Sequence, residues 1–419
     1  MSLFLSLAWR AKGVGVIVLM TAMCIGGGAK ADPLLVHSDT RIIPSLTIAE
    51  RYDSNVFLVR GSHLQDYVTT VTPRIVVEHA GRLISGSLTG TLTSETYVRN
   101  PGLDYIAPTA AINLNFDSLL AKIDRRAQLT VSDRFAATPQ PLAFIGPQTG
   151  NDVPDSFVRG IQSSRANTRT NMLMAMGSYA LTEAASFQLT YMRSTREFGQ
   201  TFATPTVGGF FNTTYQTINA GPQVRVTPFD TFGLNYQYLQ SNSTRGTDET
   251  SVSSGFSTQG GTVSWNRILT QNLTASAAGG VTVVGRGSTQ SVQYLANGQL
   301  RWEHQNGYVK LLYSCSIFPS FFIVPTPLLS QVVSLSGSYN LTSHLSATGV
   351  VSYALNEAVG PVQLRYESHT ESISLNYTIT RWLTGIATVR RSDFTTTSGG
   401  TEFTFDRNMV MLSLRGTWD

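Results

Sequence analysis

The chain has 419 residues, a formal net charge of +4, 13% charged residues and 42% hydrophobic ones. A nucleic-acid-binding domain would be far more basic, and a soluble chain usually carries about twice this share of charge. Past residue 31 there is also no stretch of the roughly 18 apolar residues that a helical membrane span requires.

The N-terminus, "MSLFLSLAWRAKGVGVIVLMTAMCIGGGAKADPLL", has a basic region at Arg10 and Lys12. A mostly apolar run from Gly13 to Ile25 and an A-x-A site at Ala29-Lys30-Ala31 follow. Residues 1–31 therefore read as a cleaved secretory signal peptide, with a mature start at Asp32. The apolar run is short for a membrane anchor, and Met23 is large for the residue before a lipidated Cys24. Loss of Arg10, Lys12 and Lys30 lowers the charge from +4 to +1 and leaves lysine only at Lys122 and Lys310. Cys315 is then alone, so no internal disulfide stabilises the exported protein.

Residues 32–40 read as a periplasmic N-terminal segment and 41–419 as one domain built of strands. "RLISGSLTGTLTSETY" places Ile84, Gly86, Leu88, Gly90 and Leu92 on one face and Ser85, Ser87, Thr89, Thr91 and Thr93 on the other. The same period-2 alternation recurs in "SFQLTYMRS", "TFGLNYQYLQ", "NLTASAAGGVTVV" and "HLSATGVVSYAL". A hairpin unit also repeats: "SYALTEAASFQLTY", "VRVTPFDTFGLNY", "WNRILTQNLTASA", "SYNLTSHLSATGV" and "NYTITRWLTGIAT". In each, a strand ends on an apolar or aromatic residue, a short turn with threonine follows, and a second strand opens.

Strands are expected around Leu46, Val71, Leu88, Leu114, Leu129, Met174, Leu189, Ala220, Leu234, Val263, Ala277, Gly298, Leu311, Leu335, Gly349, Ser374, Ala387 and Leu412. That is about eighteen, with sixteen as the alternative, and the spacing suits spans of about 9–11 residues. Short turns are expected at one end. Long loops, at 53–64, 136–166, 199–214, 242–256, 318–328 and 395–401, are expected at the other. The fold class that follows is all-β: a transmembrane antiparallel up-and-down β-barrel with short periplasmic turns and long extracellular loops. "LLYSCSIFPSFFIVPTPLL", with Pro319, Pro325 and Pro327, reads as a strand running into a loop rather than a helix.

Phe116, Tyr179, Trp265, Trp302, Tyr339 and Tyr377 each precede a short turn, which is where a periplasmic aromatic girdle would lie. With each apolar face set toward lipid, Arg51, Arg74, Arg126, Arg134, Arg196, Arg225, Arg301, Lys310, Arg390, Arg407 and Arg415 point into the lumen or its rim. Glu78, Glu95, Asp124 and Glu303 do the same. Two readings stay open: arginines braced by acids, or a basic lumen that attracts anions such as acidic sugars. The loop 136–166, with Phe144, Ile145 and Phe157, is the expected pore constriction or outside contact.

The sequence offers no catalytic constellation, no cofactor motif and no metal-ligand spacing among His37, His63, His79, His304, His344 and His369. His369, Glu367 and Glu371 share a strand face and read as a rim or lumen cluster. Asp53 and Asn55 read as turn formers rather than calcium ligands. The final segment, "NMVMLSLRGTWD", sets Val410, Leu412, Leu414, Gly416 and Trp418 opposite Met411, Ser413, Arg415 and Thr417. It is expected to pair with the first strand, since an open edge is untenable in lipid. Trp418 resembles the terminal aromatic that outer-membrane barrels present to the barrel-assembly machinery, here displaced by Asp419.

"IIPSLTIAERYDSNVFLV" followed by "YVTTVTPRIVVEHAGRLISGSLTGTLTSETY" resembles a family of outer-membrane β-barrel porins that includes barrels associated with exopolysaccharide and PEP-CTERM (exosortase) systems. The likeness rests on Tyr52-Asp53-Ser54-Asn55-Val56-Phe57 at the end of the first strand and on a glycine turn at Ala80-Gly81-Arg82. It implies a Gram-negative outer-membrane location, contact with polysaccharide-export components and no catalytic residues. The function expected is a porin-like channel for hydrophilic solutes, in its finer form exporting exopolysaccharide. The alternative is a plugged docking barrel in an envelope or secretion assembly.

Overall fold

The structure is a computed structural model and describes residues 34–37, 39–56, 64–138, 166–201, 209–245, 252–321 and 323–418. The expected signal peptide and nearly all of the 136–166 loop, with Phe144, Ile145 and Phe157, lie outside the described residues.

Among the described residues nineteen strands form one sheet. They are β1 (Leu34–His37), β2 (Thr40–Asp53), β3 (Asp66–Ala80), β4 (Ser85–Tyr97), β5 (Tyr105–Asn115) and β6 (Ala127–Thr138). Next come β7 (Ala166–Ala180), β8 (Ala185–Thr201), β9 (Asn212–Arg225), β10 (Asp230–Arg245), β11 (Val252–Thr270) and β12 (Leu273–Arg286). The last are β13 (Thr289–His304), β14 (Gly307–Pro319), β15 (Pro327–Asn340), β16 (Leu345–Ala358), β17 (Leu364–Thr378), β18 (Leu383–Ser398) and β19 (Thr401–Thr417). From β2 onward each strand pairs antiparallel with the next, and β19 pairs back onto β2 from Thr417↔Ser45 to Met409↔Asp53. Setting β1 aside, nineteen strands become a closed ring of eighteen. β1 pairs with the start of β2, Leu34↔Ile42, just past the point where β19 ends. It thereby covers the stretch of β2 edge that the seam leaves open.

The repeated threonine of the hairpin unit has a structural cause. In the turn 181–184, Thr182 Oγ1 accepts hydrogen bonds from the backbone N–H groups of Ala184 and Ala185, at 3.2 and 3.0 Å. Thr227 does the same for Phe229 and Asp230, and Thr342 for His344 and Leu345. Thr380 accepts from Leu383 at 3.1 Å. The hydroxyl satisfies backbone donors that the tight turn removes from the ladder. All these turns lie at one end of the cylinder, with 81–84, 116–126, 271–272 and 305–306.

The connection 116–126 is long for that end; the opposite end carries most of the longer connections, with two short ones among them. Gly287-Ser288 joins β12 to β13, and Gly399-Gly400 joins β18 to β19. Both glycines of the second pair have positive φ, 55° and 82°, as a two-residue hairpin of this hand requires. The expected loop at 395–401 is therefore strand up to a glycine turn.

On the outside, the strands of the ring carry an apolar band. Examples are Phe187, Leu189 and Tyr191 on β8, Val351 and Tyr353 on β16, and Val410, Leu412 and Leu414 on β19. One row across β6 to β10, Asp133–Leu173–Arg193–Gln216–Gln240, marks where the band turns polar toward the loop end. A charge inside such a band would cost about 2–4 kcal/mol for Arg or Lys. Tyr179, Trp265, Trp302, Tyr339 and Tyr377 sit on the outer face at the turn end. Phe116 is not on a strand but opens the helical turn Asp117–Leu120. A second aromatic set, including Tyr52, Tyr67, Tyr191 and Tyr353, occupies the loop-side border; the Tyr52 and Tyr67 rings lie 5.5 Å apart.

Candidate functional site

The inner face is polar by the same register, and serine, threonine, asparagine and glutamine dominate it. On β15 and β16, Ser334 lies opposite Ser352, and Ser352 opposite Thr370 of β17. Gln188 of β8 and Gln223 of β9 exchange side-chain hydrogen bonds at 3.1 and 3.0 Å.

Ten of the eleven expected cations occupy inward positions: Arg51, Arg74, Arg134, Arg196, Arg225, Arg301, Lys310, Arg390, Arg407 and Arg415. Arg126 does not. It belongs to the exposed turn before β6, where it binds Asp124 at 3.0 Å and covers the Tyr179 ring at 4.9 Å. The hydrogen bond from Arg126 holds the Asp124 carboxyl well below the usual range. Asp124 thus also stays outside the lumen. Arg41, Arg245 and Arg286 face inward as well, a set hidden from sequence because each lies near a strand end. Among the described residues the inward carboxylates are Asp53, Asp66, Glu78, Glu95 and Glu303, so there the inward cations outnumber them.

The densest charge lies at the seam. Arg51 forms a two-pronged pair with Glu95 at 3.1 and 2.9 Å, and Tyr97 donates its hydroxyl to the same carboxylate at 2.7 Å. Arg407 donates Nε to Asp53 at 2.9 Å and Nη2 to the other oxygen. These groups are buried. Asp53 is thus taken up by arginine, and its oxygens are not arranged for calcium. Below them, Arg415 reaches Thr47 at 3.5 Å, and Arg74 Nε is screened from solvent with no hydrogen-bond partner among the described residues. Among the described residues no carboxylate comes within ion-pair distance of Arg74 or Arg415.

Among the described residues, the connection between β14 and β15, at 320–326, is the one seen to reach across the ring. This strap folds into the loop-end mouth. Ser320 N–H bonds Thr326 O at 2.9 Å and closes its base. Its tip pairs with the segment before β9: Phe211 N–H to Phe321 O and Ile323 N–H to Gly209 O, both 3.0 Å. The strap therefore reaches five strands round the ring, from β14 to β9. Phe321, Ile323, Leu328, Leu364 and Tyr366 form a buried cluster, against which Phe198, Phe210 and Phe318 pack. Arg196 lies 4.1 Å over the Phe321 ring. Arg286 holds the far side through Thr326 and Ser254, both at 3.4 Å. Ile323 has φ of +68°, a region that a β-branched residue adopts only under strain.

His369, Glu367 and Glu371 share the outer face, not the lumen. His369 faces Glu371 at 3.5 Å and Asp393 at 4.0 Å, beside the pair of Arg365 and Glu367. Among the described residues, no group of three or more His, Cys, Asp or Glu side chains is arranged to hold a metal ion.

No protein-family model matches the chain. No curated protein matches it either. Among solved structures it is similar to the outer membrane protein opdK of Pseudomonas aeruginosa, at 10% identity and TM-score 0.45, over 90% of this chain and 99% of that one. OccK3 (OpdO) of the same organism matches at 11% and 0.44, over 90% and 96%. OccK2 (OpdF), in complex with glucuronate, matches at 10% and 0.44, over 90% and 98%.

Proposed function

We propose that this protein is a porin-like channel of the Gram-negative outer membrane, passing hydrophilic solutes by diffusion. The observation that carries the reading is the closed eighteen-strand ring with an apolar exterior and a polar interior. A ring of this size leaves room for water after its wall side chains are placed. The excess of inward arginine favours anions, because a low-dielectric wall focuses the field of its charges into the pore. Arg74 and Arg415, with no carboxylate partner among the described residues, are the residues assigned to that preference.

The finer reading is passage of an acidic exopolysaccharide. It rests on the family resemblance at 42–97 and on this basic wall. The strap favours a second reading, a barrel closed at its loop end that serves as a docking element in a secretion assembly. Single-channel recording in planar bilayers separates the two: a conducting wild type supports the channel, and a silent one supports the closed scaffold. Loss of secreted polysaccharide on gene deletion, restored by the wild type, supports the finer reading; unchanged secretion removes it.

A further inference from the structure

Six methionines lie among the described residues: Met172, Met174, Met176, Met192, Met409 and Met411. All six face inward. On β7 they share the face of Thr168, Thr170 and Ser178; on β8, that of Gln188, Thr190 and Ser194; on β19, that of Ser413 and Arg415. The lipid band uses leucine, isoleucine, valine and aromatic residues and has no methionine. An apolar side chain is favoured by lipid and disfavoured by a water-filled lumen, so burial predicts the opposite placement. Met176 is 48% exposed, which argues against simple gap filling.

Four of the six are neighbours. Met174 lies directly opposite Met192, and Met172 and Met176 flank Met174 on the same face of β7. Directly opposed residues have β-carbons about 5 Å apart and diagonal ones about 7–8 Å. Methionine has three flexible side-chain bonds, which can bring sulfurs at such positions together. Thioether sulfur is a soft, uncharged donor that selects copper(I)-like ions over the hard cations bound by carboxylates.

We propose that Met172, Met174 and Met192, with Met176 beside them, form a lumen site for a soft monovalent metal ion of the copper(I)/silver(I) class. Arg134, directly opposite Met172, stands where it can hold an anionic co-ligand such as chloride, which offsets the positive charge of the ion. No proton is displaced when thioethers bind, so occupancy does not depend on pH between 5 and 7, unlike a site built from imidazole or thiol.

The test is silver(I) binding to the full purified chain in detergent, by calorimetry, in a Cys315→Ser background that removes thiol competition. One silver ion per chain is expected, with equal affinity at pH 5 and pH 7. Met174→Leu with Met192→Leu weakens binding at least tenfold, while Met409→Leu with Met411→Leu leaves it in place. Each variant's folding is checked by the compact, fast-migrating form on unheated gels. Absence of binding, equal binding by the Met174/Met192 variant, or affinity lost as the pH falls through about 6.5 overturns the proposal. The last outcome assigns the ion to histidine. Conductance plays no part in these readouts, so the site stands or falls apart from the channel reading.

Discussion

Arg407 of the last strand grips Asp53 of the first barrel strand across the seam, Nε to Oδ1 at 2.9 Å, with both side chains buried. The two residues are 354 positions apart in sequence and meet only when the ring closes. Removing the carboxylate breaks this buried ion pair, an event that costs about 3–5 kcal/mol. Asp53→Ala is expected to lower stability by that order in urea unfolding from lipid vesicles. Replacing both residues with apolar ones of similar volume should cost far less.

Trp418 provides a second seam contact. Its backbone N–H bonds Pro44 O at 3.1 Å, and its ring stacks on Trp382 at 6.5 Å between centroids. Trp418→Ala is expected to slow insertion into vesicles several-fold, followed by the appearance of the fast-migrating band. Trp418→Phe should keep most of the rate.

The strap makes a sharper prediction for transport. Phe321→Ala removes the ring shared by Phe198, Phe210 and Arg196. Replacing 320–326 with a short glycine linker removes the obstruction altogether. Single-channel conductance is expected to rise at least twofold in the linker variant and less in Phe321→Ala. Equal conductance in all three would place the narrowest point elsewhere.

Arg74→Gln with Arg415→Gln should shift the reversal potential in a potassium chloride gradient toward cations. Arg126→Gln should leave it unchanged, because Arg126 stands outside the lumen.

Asp124 supplies a pH dependence whose sign is fixed. Its carboxyl titrates below the usual value in the folded protein because of Arg126. Its contribution to stability is therefore present above about pH 3.9 and is lost as the pH falls through the lowered value. Thermal melts of the wild type and Asp124→Asn should differ slightly at neutral pH and converge in strong acid.

The strand plan was legible because a closed sheet with an apolar outside and a polar inside imposes a period. Once Leu88 faces outward, Thr89 must face the lumen, and each expected strand centre from Leu46 to Leu412 falls within a strand of the ring. The phase also placed ten of the eleven cations. Arg126 escaped because the helical turn at 117–120 interrupts the alternation just before it. The strap escaped because its partners, Phe198, Phe210 and Tyr366, come from distant strands, and nothing local to "FPSFFIVPTP" says whether a loop folds outward or inward. The pairing of Arg51 with Glu95 was hidden for the same reason. The inward methionines could have been seen from the phase, since hydropathy alone misassigns them to lipid.

The most direct measurement is the current carried by the wild type and the strap-deleted protein in planar bilayers under a salt gradient. Discrete openings in the deleted form, with a reversal potential on the anion side, are the predicted result. Silence in both proteins, or a cation-selective current, would contradict a water-filled lumen lined by arginine.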